Sequence, residues 1–291
     1  TKVGLKVPTK NEILKKYGSI MRLASDTVES NLWLPSTFFA LNYTFGGGIP
    51  FGKVLEVAGE ESSGKSLIAY NFAYTCQQLG GHVIWVDAEQ SWMNSWAEAN
   101  GVDPEKVTVL TDTRIEYISD AVADLAIYLR SQLTKNEPIL LVIDSIAAMD
   151  CADNIDSKMV EGKAEMGGRA KALYKYFRIR SELFYRLGVT QIYINQLRTA
   201  LNVGFGKDNT TTTGGAALKF YASIRAAFYS GRSITVKQKG KERKAGKLVT
   251  IRLIKNKVAP PRPTISKCPV YFNPKFHEVG FDRCYALEDV L

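Results

Sequence analysis

The run Gly59-Glu60-Glu61-Ser62-Ser63-Gly64-Lys65-Ser66 has the residue types and the spacing, G-x-x-x-x-G-K-[ST], needed to grip a chain of phosphates. Gly59 and Gly64 let the backbone turn tightly, so that successive N–H groups converge on an anion. Lys65 brings a mobile cation for the β- and γ-phosphates, and the Ser66 hydroxyl suits a hard cation such as Mg²⁺. The apolar stretch before it, residues 53–58, reads as a strand. The stretch that begins at Leu67 reads as a helix, whose start adds unpaired N–H groups and a partial positive charge. A glycine-rich turn with a chance lysine would require neither flank.

Three more polar groups end apolar runs. Residues 82–89 run through Val83, Ile84, Trp85 and Val86 to Asp87 and Glu89; residues 138–145 end in Asp144; residues 188–196 end in Gln196. Nearly continuous apolar character implies burial on both faces, as in a parallel sheet. Strands alternating with helical patterns, as at residues 115–133, predict an α/β fold with a doubly wound, mainly parallel sheet. Ligands of such sheets bind at the carboxyl ends of the strands, where Glu89, Asp144 and Gln196 also fall. Asp144 suits a place in the Mg²⁺ shell, although a strand-ending aspartate alone can equally cap a helix. Glu89 suits a carboxylate that activates an attacking water, with Asp87 the competitor and a plain surface glutamate the alternative. Gln196 precedes a long polar stretch, residues 197–213, and an amide there could report a γ-phosphate to that loop. It could also do no more than satisfy backbone groups.

The elements around these groups are less sharply marked. Residues 8–18 read as a short helix capped by Thr9, and residues 19–24 as a lone strand; residues 1–31 have little core of their own and are expected to dock elsewhere. Residues 32–291 are expected to form the core. From about Phe220 the pattern changes to strands at 223–229, 247–254 and 270–272, read as an antiparallel extension of the sheet. Residues 166–178 begin as loop and become helix, with Lys171, Lys175 and Arg178 on one face and Leu173 and Phe177 nearer the other. Of the 291 residues 45% are hydrophobic and 23% charged, which is enough for a substantial core. The net charge of +9 permits a polyanionic partner. Four scattered cysteines and two histidines argue against disulfides, a zinc site or histidine catalysis. No apolar run reaches about 18 residues and the first residues carry no signal-peptide core, so no membrane role and a cytoplasmic location are expected.

Taken in order, Gly-Ser-Ile-Met-Arg-Leu (18–23), the phosphate run (59–66), Val-Asp-Ala-Glu (86–89), Ile-Asp-Ser-Ile-Ala-Ala (143–148), Ile-Asn-Gln-Leu-Arg (194–198), Thr-Thr-Thr-Gly-Gly-Ala-Ala-Leu-Lys-Phe-Tyr-Ala-Ser-Ile-Arg (211–225) and Lys-Asn-Lys (255–257) resemble the RecA family of DNA strand-exchange recombinases. The resemblance covers roughly residues 9–290. It implies a RecA-like P-loop NTPase core and an ATP- and Mg²⁺-using, DNA-dependent ATPase that forms helical filaments on single-stranded DNA and pairs it with a homologous duplex.

The resemblance also implies roles by position. Gly59, Glu60, Glu61, Ser62, Ser63, Gly64, Lys65, Ser66 and Leu67 would hold the nucleotide and Trp96 would stack on adenine. Ser66 and Asp144 would hold the metal. Glu89 would be the catalytic carboxylate and Gln196 the γ-phosphate sensor, while Lys255 and Lys257 would reach the nucleotide of the adjacent protomer. Residues 18–23 would dock on the neighbour. Two DNA loops, about residues 154–168 and 197–213, would bring Met166, Gly167, Gly168, Arg169, Lys171, Arg178, Arg198, Thr213, Gly214 and Gly215 to the strand. Single-strand-binding and loader proteins would be further partners. Met93, Tyr174 and the threonine-rich second loop depart from the family pattern. Residues 237–247 are unusually basic and read as a hairpin tip that holds an incoming duplex or is simply solvated. The resemblance further suggests a compact, phage-type member without the family's small C-terminal domain, working in a bacterial or phage-infected cytoplasm. A hexameric helicase or branch-migration ATPase, or a mediator that binds nucleotide without turnover, are the alternatives.

Overall fold

The computed structural model describes residues 9–18, 32–156, 167–199, 210–238, 240–260, 262, 264–282 and 285. The chain divides into two compact units, Thr1–Asn31 and Leu32–Leu291. In the first, α1 (Lys10–Tyr17) begins with a reciprocal cap. The Thr9 hydroxyl accepts from the Glu12 N–H at 3.3 Å while the Glu12 carboxylate accepts from the Thr9 N–H at 2.8 Å. Two otherwise orphaned donors are thereby satisfied. The strand expected at residues 19–24 lies outside the described residues.

The second unit runs through β1 (Trp33–Leu34), α2 (Phe39–Phe45), β2 (Ile49–Pro50), β3 (Val54–Gly59), α3 (Lys65–Gln78), β4 (His82–Asp87), α4 (Asn94–Ala99), β5 (Val107–Leu110), α5 (Ile115–Gln132) and β6 (Ile139–Asp144). It continues with α6 (Ala152–Asp156), α7 (Gly168–Leu187), β7 (Val189–Thr199), β8 (Thr210–Thr212), α8 (Ala217–Tyr221), β9 (Ile224–Gln238), β10 (Lys241–Asn256), β11 (Ile265–Tyr271) and β12 (Gly280–Phe281). Among the described residues, one sheet takes the order β12-β11-β10-β9-β3-β7-β6-β4-β5, with β8 paired to β7 off that line. The strands from β9 to β5 in this order are parallel. The strands from β10 to β12 are antiparallel.

The doubly wound, mainly parallel sheet with an antiparallel extension is therefore present, with two corrections of detail. β9 was expected to open the antiparallel part, but it lies parallel to β3. A crossover through α8 returns the chain to the same end of the sheet, and only the β9–β10 hairpin reverses it. Gln196 was expected to end its strand, but β7 continues to Thr199 and pairs with β8, Leu197 opposite Thr212 and Thr199 opposite Thr210. The second loop thus springs from a two-stranded stem.

Alternation along the strands makes two apolar layers. Leu55, Val57, Trp85, Val142 and Ile194 face α2 and α3. Ile84, Val86, Leu141, Ile143 and Tyr193 face α5 and α7. With both faces covered, every residue of β3 and β6 is buried, which explains their continuous apolar reading. α7 is amphipathic as expected: Leu173, Phe177 and Phe184 are buried, while Lys171, Lys175 and Arg178 are exposed. Cys76, Cys151 and Cys268 are buried free thiols. Among the described residues no helix is long and apolar enough to cross a membrane.

Phe184 is fully buried in the α5–α7 layer and packs beside Tyr176 at 6.3 Å between ring centroids. Phe184→Ala is expected to lower the unfolding free energy by about 3–5 kcal/mol, read by chemical denaturation.

Candidate nucleotide site and DNA grooves

β3 delivers the phosphate run to the carboxyl edge of the sheet. Gly59 is its last residue, and a Cβ there would stand 2.5 Å from Ser63 Oγ and 2.7 Å from the Phe228 carbonyl oxygen. Gly64 caps α3 at φ +88°, a left-handed conformation that glycine adopts without strain. The loop is held by its own side chains: Ser63 Oγ donates to the Glu60 carbonyl at 2.8 Å, and Lys65 Nζ donates to the same oxygen at 2.5 Å.

The Ser66 hydroxyl donates to Asp144 Oδ2 at 2.7 Å, tying the start of α3 to the end of β6. Asp144 is 4% exposed. Burial raises its pKa to about 6, with Glu89 and Asp87 adding to the rise and Ser66 and Lys65 opposing it. Burial also lowers the Lys65 pKa, against the pull of Asp144 and Glu89. Glu89 stands two residues beyond the end of β4, where its Oε1 accepts from the Ser145 hydroxyl. Asp87 is committed elsewhere: its carboxylate accepts from the backbone N–H groups of Ser91 at 2.9 Å and Trp92 at 2.8 Å, fixing the turn that follows β4. Of the two competing carboxylates, only Glu89 lines the cleft.

That cleft measures about 550 Å³, and Gly59, Glu61, Ser62, Ser63, Gly64, Lys65, Ser66 and Leu67 line it together with Glu89, Trp96, Asp144 and Gln196. Glu60 turns away, and its carboxylate accepts from the Ser230 N–H at 3.2 Å. Gln196 is exposed, and Asn195 beside it takes the buried structural bonds. The donor set fits a nucleotide with Mg²⁺: converging N–H groups and a cation for phosphate, a hydroxyl and a carboxylate at one point for a hard metal. Among the described residues no cluster of three or more His, Cys, Asp or Glu suits a metal.

A second hollow, about 460 Å³, lies between α7 and the start of α8, lined by Lys171, Tyr174, Lys175 and Arg178 with Ala170, Ala216 and Ala217. Gly167 caps α7 at φ +95°, and Gly168 is its buried first residue. Gly214 and Gly215 precede α8 at φ +91° and +74°. Arg169 faces inward, donating to the Ala147 carbonyl at 3.1 Å and pairing with Asp150 at 3.6 Å. Arg198 lies on β7 opposite Thr211, and Thr213 gives its carbonyl to Asn195 Nδ2 at 2.9 Å. Met166, residues 157–166 of the first loop and residues 200–209 of the second lie outside the described residues.

The family described as RecA N-terminal domain matches residues 7–273. Protein RecA of Bacteroides thetaiotaomicron is 35% identical over 257 residues, 87% of this chain and 73% of that one. Protein RecA of a Picosynechococcus is 33% identical over 273 residues, 93% of this chain and 74% of that one. Protein RecA of Corynebacterium urealyticum is 36% identical over 247 residues, 84% of this chain and 62% of that one.

The chain belongs to the RecA family. It is an ATP-dependent recombinase and DNA-dependent ATPase that uses ATP with Mg²⁺, binds DNA and forms filaments.

Lys255 and Lys257 do not line this protomer's cleft. Lys255, the penultimate residue of β10, has its ammonium on the carbonyls of Lys219 at 2.6 Å and Phe220 at 3.3 Å. Burial, Lys257 and Arg225 lower its pKa. Sequence reasoning missed Ser145, Glu56, Asn195 and Arg225. A lone glutamate inside an apolar strand was the available sign for Glu56.

Asp144 keeps its proton to higher pH in the folded chain than in the unfolded one, so the nucleotide-free protein gains stability as pH falls through about 6. By the same argument Asp144→Asn is expected to stabilise that form at neutral pH by up to about 3 kcal/mol, while Mg²⁺-dependent hydrolysis is lost. Denaturation and phosphate release check the two halves, and a less stable variant would refute the burial argument.

Proposed function

We propose that the cleft at the head of α3 hydrolyses ATP across the boundary between two protomers of a filament, and that the hollow between α7 and α8 grips the DNA strand. One observation carries this reading. Lys65, Ser66, Glu89, Asp144 and Gln196 converge on one open cleft, while Lys255 and Lys257 lie outside it.

In this reading the phosphate run and the first N–H groups of α3 hold the β- and γ-phosphates. Lys65 leaves the Glu60 carbonyl to neutralise them. Ser66 and Asp144 hold the metal, which when bound withdraws charge from the phosphate oxygens. Glu89 accepts the proton of the attacking water, its carboxylate kept in place by the Ser145 hydroxyl. Trp96, half-buried at the cleft wall, gives the base an aromatic face. Gln196 senses the γ-phosphate at the root of the second loop. Lys255 and Lys257 complete the charge around the nucleotide of the adjacent protomer, and the unit of residues 1–31 docks on that neighbour.

Lys171, Arg178, Gly167, Gly214 and Gly215 meet phosphates, leaving bases free to pair with a homologous duplex, so base pairing reads the sequence and the protein reads the backbone. Arg169, turned inward, anchors the start of α7 in this scheme. The long β9–β10 hairpin carries Lys237, Lys241, Arg243 and Lys244 on exposed positions suited to a second DNA. Such a cycle belongs in the cytoplasm, with single-strand-binding and loader proteins as its partners.

Mixing tests the cross-protomer site. Lys65→Ala and Lys255→Ala are each expected to abolish DNA-stimulated hydrolysis, and an equimolar mixture to restore part of it, because intact Lys255 of one protomer meets intact Lys65 of the next. A mixture as inert as its components, or rings in place of filaments in electron micrographs, counts against the proposal. Arg178→Ala is expected to weaken oligo(dT) binding and to reduce the slope of log K against log salt by about 0.7, one single-strand phosphate contact.

A further inference from the structure

We infer that Glu56 is a positioning residue that ties the nucleotide cleft to the root of the second DNA loop. It sits in the middle of β3, three residues before Gly59, and is fully buried. A carboxylate in that place requires partners. Its Oε2 accepts from the Arg225 guanidinium on β9. Its Oε1 accepts from Asn195 Nδ2 on β7 at 3.0 Å.

Asn195, also fully buried, then divides its amide between two further groups. Nδ2 donates to the Thr213 carbonyl at 2.9 Å, and Oδ1 accepts from the Gln196 N–H at 2.9 Å. One amide therefore touches the carboxylate beneath the phosphate run, the residue that lines the cleft, and the residue where the second loop returns to the core. The same root holds the Thr212 and Thr213 hydroxyls buried without a partner. On the other side, Arg225 stands opposite Lys255 in the β9–β10 register. The Glu56–Arg225 pair thus links the root of the loop to the strand position of the lysine assigned to the neighbouring cleft.

The inference deepens the proposed function, since it rests on residues 197–213 being a DNA loop. The test measures oligo(dT) affinity with and without a non-hydrolysable ATP analogue, beside hydrolysis without DNA. Glu56→Gln removes the charge, and the double variant Glu56→Gln/Arg225→Met removes the whole ion pair at similar volume, in case Arg225 alone prevents folding. The factor by which nucleotide tightens DNA binding is expected to fall about tenfold in either variant, with DNA-free hydrolysis near wild type in both and the melting transition near wild type in the double variant. A variant whose DNA affinity responds to nucleotide as the wild type does would overturn the inference. So would loss of DNA-free hydrolysis with that response intact, because Glu56 would then serve only the cleft. A wild-type protein whose DNA affinity ignores nucleotide would sink the loop reading itself, a separate result read before any variant is made.

Discussion

The parallel pairing of β3 on both sides fixes the geometry on which the rest depends. Gly59 lies opposite Gln196 on β7 and opposite Phe228 on β9. One register therefore sets the phosphate run, Gln196 and the stem of the basic hairpin side by side. A slip of one residue would turn Leu55 and Val57 to the wrong layer and move Gln196 away from the loop. The loop is also fastened to β9 directly, by the Glu60 N–H on the Phe228 carbonyl at 3.3 Å and the Glu60 carboxylate on the Ser230 N–H. Lys247 Nζ donates to Ser230 Oγ at 3.0 Å, so a residue of the hairpin meets the same point.

Electrostatics follows from that crowding at the sheet edge. Asp87, Glu89 and Asp144 are close enough for the first two to raise the pKa of the third, and Lys65 is desolvated beside them. Such an arrangement is costly without a ligand, and it needs little rearrangement when phosphate and metal arrive. The buried Glu56–Arg225 pair belongs to the same economy: removing one partner of such a pair typically costs about 3–5 kcal/mol, whereas replacing both is often neutral. Its value to the molecule is therefore better sought in register and coupling than in stability.

Much of this was legible in the sequence because the strongest signals are local. A phosphate run between a strand and a helix, and apolar strands ending in acid or amide, need no tertiary information. What the sequence concealed depended on partners far away in the chain. β5 is a half-buried edge strand and α4 is a single short helix, so neither carries a strong periodic signal. The parallel pairing of β9 follows from a crossover, and the pattern of residues 224–229 is the same for either direction. Asp87 and Glu89 differ in role only because the turn after β4 gives Asp87 two N–H groups to bind. Asn195 and Arg225 lay within the quoted family motifs, yet nothing local shows that both converge on Glu56. Residues 157–166 and 200–209, the centres of both expected DNA loops, lie outside the described residues.

The roots of the two loops share one design. The second is tied to β3 through Asn195. The first is tied to β6 by the chain itself, since Asp144 leads through Ser145 to the 3-10 turn Ile146–Ala148, whose Ala147 carbonyl accepts from the Arg169 guanidinium on α7. Ser145 meanwhile donates to Glu89. A change in the charge around Asp144 and Glu89 therefore acts on a segment hydrogen-bonded to the start of α7, just as a change at Gln196 acts on a segment bonded to Thr213 through Asn195. Strands buried on both faces do not deform smoothly. A displacement at the sheet edge is passed to the turns and stems that leave it, and both of those stems flank the basic hollow between α7 and α8. On the proposed function, local chemistry at the cleft would thus alter the DNA grip without any rearrangement of the sheet.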